Sequence, residues 1–220
     1  CEIMPYASIM SGTRMGKANR VFQGAVLGAE PQDFKYKGGD TLCVLGDNNV
    51  IRENVVINRA TTPEGKTEIG NGNFLHEGVH ICHDTKVGNH CVLGYGSKVS
   101  GNCMIEDCVI FGGNILMSQG TRVGRWAMLQ TGCRFRKDIP PYIIGAGEPT
   151  IYHGVNAVVM GHEGFSEKII KHISHAYRIL FQGNTSVLDA LFMIKDQVPM
   201  SEEIQHILDF VSASKLGVIR

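Results

Sequence analysis

The sequence predicts an all-β solenoid, a parallel β-helix of hexapeptide repeats, followed by a C-terminal helical segment. Three observations carry this. Every sixth residue from Ile69 to Phe135 is apolar: Ile69, Leu75, Ile81, Val87, Leu93, Val99, Ile105, Phe111, Met117, Val123, Leu129 and Phe135. A period of six fits neither a 3.6-residue helix nor the alternation of an amphipathic strand. It marks a repeat in which each unit is one flat wall of a coil. Two places before most of these positions stands a small residue, as a crowded corner requires: Val79, Thr85, Cys91, Ser97, Cys103, Val109, Thr121, Ala127 and Cys133. Finally, the period stops at Phe135, and helical spacing takes over from Ser166.

Taken in order, the phase already holds at Ile3, Ile9, Met15, Val21 and Leu27 and lapses only at Asp33, Gly39 and Pro63. The lapses coincide with two polar, turn-rich stretches, residues 30–41 and 60–67. Both read as loops extruded from the coil, where function tends to concentrate. The chain opens on Cys1 in mid-phase, and a repeat protein normally caps its ends, so the sequence leads us to expect a couple of coils before it. Beyond Phe135, Asp138-Ile139-Pro140-Pro141-Tyr142 is a stiffened exit, and 143–162 reads as a last irregular coil. Ser166 caps a first helix that ends at Gly183-Asn184. Ser186 caps a second through about Lys195, and Pro199-Met200-Ser201 starts a third. The expected domains are residues 1–162, the coil, and 163–220, three short helices covering its end.

Composition narrows the function. Formal net charge is zero, which leaves no basic footprint for nucleic acid. No apolar run reaches the ~18 residues a transmembrane helix needs. The seven cysteines contain no Cys-x-x-Cys pair, and Cys91, Cys103 and Cys133 fall on the small-residue phase, as buried thiols. A reducing, cytoplasmic location follows.

The chemistry concentrates in Asn73–Asp84, where His76, His80 and His83 fall within eight residues beside Asp84. Three readings stand on spacing alone. They are a zinc site, for which four- and three-residue spacings converge on a helix but not along a β-wall; a general base with a near-neutral pKa; and plain surface histidines.

Further segments occur in a telling order: Gln32-Asp33-Phe34-Lys35-Tyr36, Asn49 through Thr61 (with Arg52 and Arg59), His80-Ile81-Cys82-His83-Asp84, Ile139-Pro140-Pro141-Tyr142, Gly154-Val155-Asn156 and Gly217-Val218-Ile219-Arg220. Together they resemble the acyl-carrier-protein-dependent UDP-N-acetylglucosamine O-acyltransferases, over the whole chain. The resemblance implies a left-handed β-helix of triangular coils, a helical C-terminal domain and a homotrimer. It also implies transfer of an (R)-3-hydroxyacyl chain from the phosphopantetheine thioester of acyl carrier protein to the 3-hydroxyl of the sugar in UDP-N-acetylglucosamine, the first step of lipid A biosynthesis. No metal or other cofactor is implied. His83 matches the catalytic histidine and Gly101 the residue whose backbone N–H holds the oxyanion. Asp33, Lys35 and Gln32 match loop residues that touch the sugar nucleotide. His80 matches a second active-site histidine, Gln119 and Asn156 contacts further along the cleft, and Thr131 the position that limits acyl-chain length. Departures occur at Asn102 and Ser118, where histidines are common, and at His162-Glu163, which replaces a basic pair. Because acyl carrier protein is acidic, Arg134, Arg136 and Lys137, with Lys168, Lys171 and Arg178, are its expected contacts. Two rivals remain: the N-acyltransferase of the same pathway, and a γ-carbonic-anhydrase-like zinc β-helix.

Overall fold

A coil that turns a corner every six residues leaves room for strands of only two to four residues, and in a computed structural model the chain folds in this way. The structure describes residues 1–183 and 185–220. The strands stack into sheets of nine, seven and six, and strands three apart in sequence are neighbours. All pairs within the coil are parallel, in an 18-residue register where no loop intervenes, such as Leu75↔Leu93, Ile81↔Val99 and Val87↔Ile105, and in a wider one across the loops, such as Val50↔Phe74 and Thr13↔Cys43. Three flat walls therefore enclose one interior.

The every-sixth phase fills that interior as three columns. Ile51, Leu75, Leu93, Phe111 and Leu129 line the first wall; Ile57, Ile81, Val99, Met117 and Phe135 the second; Leu45, Ile69, Val87, Ile105 and Val123 the third. All are buried. Each contributes roughly 1.5–3 kcal/mol by leaving water. The first coil is the exception, its Ile3 and Ile9 being 46% and 44% exposed at the open end.

The small phase also splits into columns. Thr67, Thr85, Cys103 and Thr121 fill the corner between the second and third walls. At the corner between third and first, buried asparagines form a ladder. The Asn19 carbonyl oxygen accepts from Asn49, that of Asn49 from Asn73, and that of Asn73 from the Cys91 N–H. Most corners hold a residue in the left-handed region. At the corner between second and third walls these are Asp84 (φ 56°), Asn102 (φ 57°) and Gly120 (φ 73°), residue types that tolerate that conformation.

The end of the coil differs from expectation. The stretch 143–162 is ordered: strand Ile143–Ala146 stacks on Met128–Leu129, Ile151–Val155 returns antiparallel to it, and helix α1 (Ala157–His162) follows. Helical structure thus begins inside the range assigned to the coil, and the helices number four among the described residues. The cause is compositional, since Gly145, Gly147 and Gly154 carry a hairpin without any six-residue signal. α2 (Glu167–Gln182), α3 (Val187–Gln197) and α4 (Glu202–Ser212) start where expected, with Ser166, Ser186 and Ser201 accepting from Ile169, Asp189 and Ile204 N–H groups. Of the expected stop at Gly183-Asn184, Asn184 lies outside the described residues. No helix among them is long and apolar enough to cross a membrane.

A polar clamp joins the two parts. The Asp138 carboxylate, 2% exposed, accepts from the Arg122 backbone and guanidinium and from the Ser214 hydroxyl. Gly217 and Ile219 add backbone bonds on either side of Asp138. Burial alone would raise the Glu106 pKa. The hydrogen bond and charge of His206 on α4, with help from Arg125, outweigh it and hold the carboxyl below its usual range.

Candidate active site

Consecutive residues at a corner point in different directions, so adjacent His83 and Asp84 meet only because the turn bends them together. Asp84 Oδ2 lies 2.9 Å from His83 Nδ1. It is itself fixed by the Thr61 hydroxyl at 2.6 Å and the Thr61 N–H at 3.2 Å. With Nδ1–H donating to Asp84, the lone pair is left on Nε2. His83 is 8% exposed, and its Nε2 faces the Asp33 carboxylate at 3.5 Å. The imidazole therefore sits between two carboxylates.

Gly101 lies one coil on, and the Asn102 N–H donates to the His83 carbonyl. A Cβ at Gly101 would come within 2.5 Å of His83 Nε2. The glycine thus makes room for the imidazole itself, a tighter requirement than clearance for an incoming substrate. Among the described residues the Gly101 N–H donates to no backbone acceptor. The equivalent N–H groups of His83 and Gln119 are likewise free, so this belongs to every such turn. What distinguishes Gly101 is that its free donor adjoins the imidazole.

Asp33 reaches His83 because its loop is pinned from below. Arg59 donates to Glu30 and to the Tyr36 hydroxyl, each at 3.1 Å, and lies 5.9 Å from the Tyr36 ring centroid. Asn58 donates to the Glu30 carbonyl at 2.7 Å. Asp33 turns its own loop by accepting from the Lys35 N–H. The residue-level roles of Asn58, Arg59 and Thr61 escaped sequence reasoning because the insertion at 60–67 breaks the 18-residue spacing. The signal was present in the density of polar residues in Asn49–Thr61.

The histidines do not converge. His76 lies against Phe74 at the far edge of the second wall, with ring centroids 4.7 Å apart and the planes tilted by 49°. His80 projects from that wall, its Nε2 2.7 Å from Asn58 Oδ1. Burial, and then the Lys98 charge, push its pKa down. With a lowered pKa and Nε2 committed to Asn58, His80 is a poor second base but a firm wall beside His83.

Residues 138–219 match the second-domain model of UDP-N-acetylglucosamine O-acyltransferases, and residues 66–101 the six-repeat bacterial transferase hexapeptide model. The acyl-[acyl-carrier-protein]--UDP-N-acetylglucosamine O-acyltransferase of Myxococcus xanthus is 38% identical over 94% of this chain and 81% of its own length. That of Thermodesulfovibrio yellowstonii is 35% identical over the whole chain and 85% of its own length. The chain belongs to this O-acyltransferase family. The crystal structure of the UDP-N-acetylglucosamine acyltransferase of Bacteroides fragilis superposes with a TM-score of 0.98 at 49% identity, over 99% of this chain and 86% of that one. The Acinetobacter baumannii structure gives 0.89 at 30%, over 100% and 97%. The coil is the left-handed parallel β-helix of these acyltransferases, with C-terminal helices.

Not every residue matched to the acyltransferase family gathers at His83. Gln119 is exposed one coil above Gly101, in the same column. Gln32 and Lys35 flank Asp33 and are exposed. Thr131 sits at the other edge of the second wall, where its hydroxyl accepts from the Gly113 N–H. It shares no contact with His83 within one chain. Asn156 is 1% exposed, its amide donates to the Trp126 carbonyl at 2.9 Å, and it stands where α1 begins, so its side chain joins hairpin, helix and coil.

Proposed function

We propose that the protein transfers an (R)-3-hydroxyacyl chain from acyl carrier protein to the 3-hydroxyl of the glucosamine in UDP-N-acetylglucosamine, the first step of lipid A biosynthesis, with His83 as general base. The observation that carries this reading is the placement of His83: Nδ1 tied to Asp84, Nε2 open toward Asp33, and Gly101 against its ring.

In this reading the sugar hydroxyl lies at His83 Nε2 in the place that Asp33 faces. His83 takes the hydroxyl proton as the oxygen attacks the thioester carbonyl, forming the C–O bond. Asp84 holds the tautomer and, with Asp33, stabilises the imidazolium. The negative oxygen of the tetrahedral intermediate accepts from the Gly101 N–H, a contact of a kind worth roughly 3–4 kcal/mol. The intermediate collapses with loss of the C–S bond, and the pantetheine sulfur leaves as a thiol with the proton from His83. Asp33, Lys35 and Gln32 bind the sugar nucleotide, His80 and Gln119 line the path, and Thr131 limits acyl length. No redox step occurs, and acyl carrier protein is co-substrate rather than cofactor.

The same reading makes the protein a cytoplasmic homotrimer. Half-buried Val50, Phe74, Val92, Ile110 and Met128 face outward along the first wall, an apolar column suited to further copies of the chain. Thr131 would then meet the acyl chain from a neighbouring copy.

The test is product analysis with hydroxyacyl carrier protein and UDP-N-acetylglucosamine. One acylated sugar nucleotide is expected, with a linkage that mild base cleaves as an ester. The amine of this acceptor is already acetylated, so an N-acyltransferase would leave it unaltered, and the absence of any acylated sugar would refute the O-transfer.

A further inference from the structure

At the corner between second and third walls, residues 82–85 suffice to join strand His80–Ile81 to Lys86–Val87, and 100–103 to join Lys98–Val99 to Met104–Ile105. One coil below His83, between Val56–Asn58 and Lys66–Ile69, residues 59–65 fill the same place. This longer turn is tied down at both ends. The Ala60 N–H donates to the Leu42 carbonyl at 3.1 Å, and the Leu42 N–H to the Gly65 carbonyl at 3.4 Å. Inside the loop the Gly65 N–H donates to the Thr62 carbonyl at 2.8 Å. The fixed loop grips the Asp84 carboxylate. The Thr61 hydroxyl donates to Oδ2 at 2.6 Å, and the Thr61 N–H lies 3.2 Å and 3.3 Å from the two oxygens. The returning limb closes the other side, since a Cβ at Gly65 would come within 3.0 Å of Oδ1. Past the loop, Thr67 Oγ1 accepts from the Asp84 N–H at 2.9 Å.

We infer that Thr61 is a positioning residue for the proton transfer: its hydroxyl holds Asp84 Oδ2 where that oxygen accepts from His83 Nδ1–H, and so keeps the proton off Nε2. The inference rests on the reaction proposed above. Both bonds meet at one oxygen, the Thr61 hydroxyl at 2.6 Å and His83 Nδ1 at 2.9 Å. An O–H···O⁻ bond of that length is charge-assisted and stronger than a neutral one. Without it the carboxylate keeps only the Thr61 N–H, shared between its two oxygens, and is free to turn out of line with the imidazole. An imidazole that lacks its acceptor divides the proton between both nitrogens, and only the form with a lone pair on Nε2 can take a proton from a hydroxyl placed there. The Thr61 hydroxyl spends its one proton on Asp84, so it supplies no nucleophile of its own. The two loops extruded from the coil then divide the ring between them. Residues 30–41 bring Asp33 to Nε2, and residues 60–65 hold Nδ1 through Thr61 and Asp84.

Thr61→Val keeps the side-chain shape and the N–H and removes the hydroxyl. The position of the ring proton can be read apart from turnover, by NMR of the full chain carrying isotope-labelled histidine at about pH 8, above the ordinary histidine pKa. The His83 signals are assigned by their loss in His83→Ala. They should show the proton on Nδ1 in the unaltered protein and a mixture of tautomers in Thr61→Val. In the transfer assay Thr61→Val should lose at least ~10-fold in kcat, with KM for both substrates within about 2-fold. Thr61→Ser should restore both tautomer and rate. Thr62→Val, an exposed neighbour, should match the unaltered protein. A Thr61→Val protein that keeps the Nδ1–H form, or keeps its kcat, would overturn the inference, as would a Thr61→Ser protein impaired as badly as Thr61→Val. The tautomer change with no transfer by the unaltered protein would count against the proposed reaction, while the hold of Thr61 on Asp84 and His83 would stand.

Discussion

At the scale of single residues, the imidazole of His83 and the missing side chain of Gly101 form one unit. Gly101 has no left-handed φ to accommodate, so Gly101→Ala strains no backbone and acts by displacing the ring. Activity should fall by at least ~10-fold, and the variant should add little to His83→Ala, because both remove the same interaction. Independent, multiplying losses would show that Gly101 acts apart from His83. His80 makes a different prediction. Its pKa is held below 6.5 by burial and then by Lys98. The unfolded chain takes up a proton that the folded chain refuses, so stability is full above the unfolded pKa. It is lost as pH falls from there toward the lowered folded pKa. His80→Gln should flatten that part of the curve, read as a smaller drop in denaturation midpoint between about pH 7 and pH 5. An unchanged slope would mean that His80 titrates normally.

At the scale of elements, Arg59 holds the loop of residues 30–41 in place, and in the proposed reaction that loop binds the sugar nucleotide. Arg59→Met keeps much of the stem and loses the bonds to Glu30 and Tyr36. If the proposed reaction holds, the KM for the sugar nucleotide should rise several-fold with kcat less affected, since the base stays in place. A loss in kcat alone would contradict that division. The walls and the three capped helices were legible because their patterns are local: six-residue spacing, serine at each N-cap, 3.6-residue spacing. The hairpin at 143–155 was not, because glycine-rich antiparallel strands carry no period. Asn49 and Asn73 were passed over because a ladder of buried amides satisfies itself only across coils. The stacking of Gly101 on His83 was legible in their 18-residue spacing, while the bonds of Thr61, Asn58, Arg59 and Asn156 needed the fold.

At the scale of the molecule, the helices are held to the coil by few polar contacts, and Asp138 is central among them. Asp138→Ala would leave Arg122 its bond to the Phe210 carbonyl and release Ser214 and the tail. The expected cost is about 3 kcal/mol, at the low end for a broken buried pair because the Arg122 side chain is 23% exposed. Chemical denaturation should show it, and a loss below ~1 kcal/mol would demote the clamp. The claim on which the whole account turns is that His83 accepts the proton of the sugar hydroxyl. The most direct measurement is the pH dependence of acyl transfer from hydroxyacyl carrier protein to UDP-N-acetylglucosamine by the unaltered protein and by His83→Ala. The account predicts an activity that rises with pH along one histidine limb, and a His83→Ala variant that keeps its fold and substrate binding, loses ~10²–10⁴-fold in kcat and no longer shows the limb. A His83→Ala enzyme that retains most of its activity, or keeps the limb while His80→Ala loses it, would contradict the account.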